Sequence, residues 1–128
     1  MSQPSRLVCE LVDRRDEYCC VRCGRYLIGN PASRHHRKLR SQASRAEVHN
    51  PSNLILLCGT GTTGCHGWVH AHPAEACRYG WMVRSYREAW DIAVLSKKHG
   101  WIFLDDDGGW IHVEDEEDLE TKERKALI

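Results

Sequence analysis

Two pairs of cysteines constrain this chain more than any other feature of its sequence. Cys20 and Cys23 are separated by two residues and Cys58 and Cys65 by six, among seven cysteines in 128 residues. The first eighteen residues lack the basic-then-apolar pattern of a secretion signal, so we expect reduced thiols rather than a disulfide framework. Two thiol pairs can supply the four soft ligands of a tetrahedral Zn²⁺. The sequence therefore predicts a structural zinc site.

The first pair has the features of a zinc knuckle. Gly24 follows Cys23 directly and permits the tight turn that directs both sulfurs at one ion. Cys19 competes with Cys20 as the first ligand, but Cys20 gives the standard spacing to Cys23. The gap in the second pair is longer than usual, and the Gly/Thr-rich loop 59–64 can close it. A redox Cys-x-x-Cys and unrelated buried thiols are the alternative interpretations.

The apolar pattern predicts an α+β chain of short elements. Helical spacing indicates a helix over 5–16, and residues 53–58 form an apolar run that fits either a helix or a strand. Residues 33–40 are too basic for a buried strand and are predicted to be an edge strand on a phosphate-facing surface. Further predictions are helices over 65–71 and 73–79, strands over 81–83, 92–95, 100–104 and 110–113, and a hairpin turn at 105–109.

Charge is distributed unevenly, although the formal net charge is zero. Residues 1–45 contain ten Lys/Arg and four Asp/Glu, whereas residues 105–128 contain three and ten. The basic front suits a polyanionic partner, and the acidic end is expected to stay solvated. We therefore predict one domain over 1–113 and a disordered acidic tail over 114–128. No apolar run approaches the ~18 residues of a membrane span, so no membrane partner is expected.

The chain also contains two close pairs of histidines. His35 and His36 are adjacent in an Arg-rich segment, and His66 and His70 are one helical turn apart. If residues 65–71 are helical, the second pair lies on one face and can share a divalent ion. Gly67 excludes the metalloprotease pattern, which requires Glu directly after the first histidine.

The order of these motifs resembles that of the HNH endonuclease family, which has a ββα-metal fold. The resemblance rests on four stretches, in this order: 20–24, 35–37, 53–58 and 65–70. The motifs span residues 18–72, and the stretch 80–109 is similar to the C-terminal part of small bacteriophage HNH proteins. The resemblance therefore implies a ββα-metal core with a structural zinc, preceded by a helix and followed by a β-hairpin.

The resemblance also implies a role for each matching residue. His35, His66 and His70 correspond to ligands of a catalytic divalent ion, which is Mg²⁺, Mn²⁺, Ni²⁺ or Zn²⁺. His36 corresponds to the general base. Asn53 corresponds to the central asparagine, which braces the hairpin and helps to orient the base.

The expected function is therefore metal-dependent hydrolysis of phosphodiester bonds in DNA. A neutral imidazole can take a proton from water, and a divalent ion can stabilise the leaving 3′-oxygen. Arg34, Arg37, Lys38 and Arg40 surround the histidines and are predicted to contact the phosphate backbone. The alternative is a zinc-knuckle module that binds DNA or protein and has a degenerate nuclease site.

The resemblance extends to the biological setting. It implies a bacteriophage or prophage origin and action in the cytoplasm of the bacterial host. Some similar proteins act with the DNA-packaging terminase, which makes a phage terminase a candidate partner beside DNA itself, and others are mobile, homing-type nucleases.

Overall fold

The computed structural model describes residues 3–114, which form a mixed α/β structure with three helices and two small antiparallel sheets. In chain order the elements are α1 (Arg6–Arg15), β1 (Ala32–His36), β2 (Leu54–Cys58), α2 (Gly64–Ala71), α3 (Pro73–Arg78), β3 (Val94–Ser96), β4 (Gly100–Leu104) and β5 (Trp110–His112). Within this range no helix is long and apolar enough to cross a membrane. Apart from its first residue, the predicted acidic tail lies outside the described residues.

Helix α1 forms where the sequence predicts it and is tied to β2 at its C-terminal end. The Ser5 hydroxyl accepts a hydrogen bond from the Val8 amide and caps the N-terminus. At the other end, the buried Arg15 side chain donates to the carbonyl of Leu54, and Asp16 accepts from the Leu56 amide. These buried polar contacts fix the helix against the strand.

Strands β1 and β2 form an antiparallel hairpin with His36 opposite Leu54. All five residues of β2 are buried. This strand is covered by α1 and α2, which explains its continuous apolar sequence and its helix-or-strand ambiguity. Strand β1 instead alternates, with the Arg34 side chain exposed and the His35 side chain buried.

Helix α2 follows β2 after a tight loop, and α3 follows α2 directly. A Cβ atom at Gly67 would lie 2.5 Å from the carbonyl carbon of Thr62, so the close packing of this loop on α2 requires glycine. Pro73 occupies the first turn of α3, as predicted.

The second sheet has the order β3-β4-β5 and includes the predicted hairpin at 105–109. The predicted strand over 81–83 is wrong, because the Trp81 amide bonds to Ala76 of α3 and the Val83 amide bonds to Arg37. The predicted strand over 92–95 is displaced to β3. Gly80 packs against the backbone of Ala93, just before β3, so closely that an added Cβ atom would lie 1.9 Å from the Ala93 carbonyl oxygen.

Candidate functional site

Four cysteine sulfurs meet where the knuckle turn, the end of β2 and the start of α2 converge. The sulfurs of Cys20, Cys23, Cys58 and Cys65 all lie within 4.8 Å of one another. The Cys23 and Cys58 sulfurs are 3.8 Å apart. Sulfurs bound to a tetrahedral zinc at ~2.3 Å are themselves about 3.8 Å apart, so this donor set fits the ion. The four predicted cysteines come together and could hold a metal ion such as zinc.

Hydrogen-bond donors surround these sulfurs. The Cys65 amide lies 3.3 Å from the Cys58 sulfur, and the guanidinium of Arg22 lies 3.3 Å from the Cys65 sulfur. Burial raises the pKa of the Cys20 and Cys65 thiols, which opposes loss of their protons. Donors aimed at sulfur, together with a bound cation, would offset that penalty and stabilise the thiolates.

Three histidines converge between the hairpin and α2. His35 comes from β1, and His66 and His70 come from one face of α2; each offers a ring nitrogen within 4.8 Å of the others. The Nε2 atoms of His66 and His70 are 3.1 Å apart. The convergence arises because α2 packs against β2, the strand that pairs with β1. These are the three histidines that the resemblance assigns to a catalytic ion.

Hydrogen bonding fixes the tautomer of His35. Its Nε2 lies 2.9 Å from the carbonyl oxygen of Trp81, and because a carbonyl only accepts, Nε2 carries the proton. The lone pair of Nδ1 therefore remains for a ligand. Burial, followed by the neighbouring His66, lowers the pKa of His35 to about 3. The ring is neutral near pH 7, which is the form that binds metals.

His36 lies beside this group and not within it. Its Nε2 is 3.1 Å from Nδ1 of His49. Burial lowers the pKa of His36 to about 4, with further contributions from His49 and Arg40. His35, His36, His66 and His70 all line one cavity of about 560 Å³.

His49 is a residue that sequence reasoning missed. It stands 13 positions after His36, in a polar stretch without helical or strand periodicity. No regular spacing connects the two histidines, because the segment between them consists of irregular turns. Only the folded chain brings them together.

Asn53 connects the start of β2 to the segment that follows β1. Its Oδ1 accepts from the Lys38 amide at 2.7 Å, and its Nδ2 donates to the Lys38 and Val48 carbonyls at 3.1 Å each. The side chain is 1% exposed. Asn53 therefore fixes the backbone just after β1, the strand of His35 and His36, relative to the backbone just before His49.

The prediction that Arg37 and Lys38 contact phosphate is wrong. Arg37 is 0% exposed because it continues the inward-facing alternation of His35, and Lys38 is 3% exposed and bonded to Glu47. Burial lowers the pKa of Arg37 to about 9, which leaves it charged at pH 7. Its guanidinium donates to four backbone carbonyls, those of Ser52, Gly80, Ala89 and Ile92.

Arg34 and Arg40 are less buried than Arg37 and Lys38. Both line the histidine cavity. The Arg34 side chain is 39% exposed and forms an ion pair with Asp13 at 2.6 Å. Arg40 is half-buried. These two cations are the predicted phosphate contacts that remain at the cavity.

Replacing Arg37 by methionine is expected to lower the free energy of unfolding by roughly 3 kcal/mol or more, because four buried carbonyls lose their donor. Urea denaturation followed by circular dichroism measures this loss. Arg45→Met is the matched control at an exposed position, and we expect a change within about 0.5 kcal/mol. Equal stability of the two variants would contradict a structural role for Arg37.

Comparisons of this chain with protein-family models, with curated proteins and with solved structures found no match. Conclusions about function therefore depend on the geometry of the cysteine and histidine groups.

Proposed function

We propose that this chain is a metal-dependent DNA endonuclease of the HNH type. The observation that carries the proposal is the convergence of His35, His66 and His70 on a cavity that His36 also lines. The order of hairpin and helix that supplies these side chains is consistent with a ββα-metal core. The cysteine group would hold a structural zinc beside it.

The three imidazoles suit a divalent ion. Two of them share a face of α2, and the third has its Nδ1 lone pair left available by the bond to Trp81. A bound Mg²⁺, Mn²⁺, Ni²⁺ or Zn²⁺ would supply charge stabilisation to the phosphate and the leaving 3′-oxygen. The protein holds these ligands on a strand and a helix, which are rigid supports for such a site.

His36 would accept the proton of the attacking water. Either ring can be the donor in the His36–His49 hydrogen bond, and the tautomer in which His36 Nε2 donates leaves the Nδ1 lone pair of His36 as the basic atom. The low pKa of His36 keeps the ring neutral near pH 7 and therefore able to accept. Asn53 supports this geometry by fixing the backbone on both sides of the pair.

The phosphate backbone of DNA is the natural ligand of the cavity rim. Arg40 lies close enough to His36 to lower its pKa, and Arg34 lines the same cavity. Cations at these positions would neutralise phosphates next to the scissile bond. The sequence resemblance supports a phage or prophage origin, and with it a bacterial cytoplasmic setting and a terminase partner, as further parts of this proposal.

The alternative is a zinc-containing module that binds DNA or protein without cleaving. It does not account for the histidine group. Nδ1 of His66 is buried and has no hydrogen-bond partner among residues 3–114, and His35 is 1% exposed. Burying polar imidazole rings costs free energy, and a module that only binds DNA or protein would gain nothing in return.

Incubation of zinc-loaded protein with supercoiled plasmid tests the proposal. The protein is loaded with one zinc per chain, for the cysteine group, and we expect nicked or linear product with added Mg²⁺, Mn²⁺, Ni²⁺ or Zn²⁺ and none without an added ion. His112→Ala, at an exposed position of β5, is a matched histidine control that should keep full activity. Retained DNA binding without cleavage under every ion would favour the binding module instead.

A further inference from the structure

A second cavity, of about 220 Å³, adjoins the histidine cavity. The two cavities share Leu39, which follows the end of β1. One wall of the second cavity comes from α3 and the other from the loop over residues 82–86. A bond from the Val83 amide to the Arg37 carbonyl fixes that loop beside β1.

This second cavity is lined by apolar side chains, one aromatic ring and one arginine, and a second arginine lies over the ring. Pro73 and Met82 line it, and Tyr86 at its edge is 60% exposed. The Arg87 guanidinium lies over the Tyr86 ring, 5.2 Å from the centroid. Arg84 also lines the cavity.

The charge pattern indicates an anionic ligand. Of the residues in the described range that line the two cavities, none is Asp or Glu. Arg84 and Arg87 are half-buried, and the Nε atom of each is enclosed by protein. Two arginine charges beside an exposed aromatic ring suit a ligand that offers both phosphate and a flat ring.

We propose that this second cavity binds an unpaired nucleotide of the DNA strand that crosses the histidine cavity, with its base stacked on Tyr86 and its phosphates at Arg84 and Arg87. The inference rests on the proposed function and names its substrate class as DNA with an unpaired or branched segment. An unpaired nucleotide fits better than a duplex, because in a duplex each base face is already covered by its neighbours. Stacking on an aromatic ring requires a free face.

Binding of fluorescein-labelled DNA by the full, zinc-loaded chain tests the inference, with no catalytic ion added. The two probes are a duplex with a 5′ single-stranded flap and the same duplex fully paired. We expect Tyr86→Ala to weaken flap binding on the order of tenfold and duplex binding less than about twofold. Tyr86→Phe keeps the ring and should bind the flap like the unchanged chain.

Tyr26→Ala is the matched control, because Tyr26 is 55% exposed on the zinc-knuckle turn, outside both cavities. It should leave both affinities unchanged. Equal effects of Tyr86→Ala on flap and duplex, or no effect on either, would overturn the inference and leave the nuclease proposal standing. Absence of DNA binding by the unchanged chain would overturn both.

Discussion

Replacing His36 by alanine is expected to slow DNA cleavage by about 10²–10⁴ while metal binding and DNA binding persist. His36 lies outside the group of His35, His66 and His70 and forms its hydrogen bond with His49. Loss of a general base typically has this cost, because water must then attack without assistance in losing its proton. Single-turnover cleavage of labelled DNA, run beside a calorimetric metal titration, measures both quantities.

Replacing His35 or His66 should affect metal binding, unlike the replacement of His36. His35→Ala and His66→Ala remove ring nitrogens from the ligand group, so both should weaken binding of the divalent ion. A high Mn²⁺ concentration should restore part of their activity by mass action. If His36→Ala loses the ion while His35→Ala keeps it, the two roles are exchanged. If none of the three changes affects cleavage, the endonuclease proposal is wrong.

Replacing Cys20 or Cys23 by serine is expected to unfold the domain. The structural zinc of small metal-dependent folds contributes about 10 kcal/mol or more, which is comparable to the entire stability of a typical domain. Zinc is expected at one ion per chain on the cysteine group. Native mass spectrometry gives the zinc content, and circular dichroism reports the folded fraction.

Cys9→Ser provides the comparison for this experiment. Cys9 is half-buried on α1 and does not belong to the cysteine group. This variant should keep its zinc and its fold. A folded, zinc-free form of the unchanged chain would show that the metal is dispensable and would contradict the prediction.

The sequence predicted those parts of the site that depend on local spacing. Cys20 and Cys23 must be close because two residues separate them, and His66 and His70 share a face because four positions make about one helical turn. The helices and the last hairpin were predictable for the same reason, because their signals are turn residues and short periodic patterns.

Features that depend on packing were not predictable. A run of basic residues suggested a solvent-facing edge, but burial of the His35 face of β1 takes Arg37 into the interior. The carbonyls that Arg37 meets come from three distant segments, and no local pattern records them. The pairing of His36 with His49 was missed for the same reason: irregular turns set it.

The close contact at Gly67 has an evolutionary consequence. His66, Gly67 and His70 lie one codon change away from the zinc-protease signature, since only Gly67→Glu is needed to write it. Any side chain at this position would collide with the backbone of Thr62, which belongs to the loop joining β2 to α2. The shortest mutational route from this scaffold to that signature is therefore closed by sterics, because the glycine that packs the loop on α2 stands at the position where the signature requires glutamate.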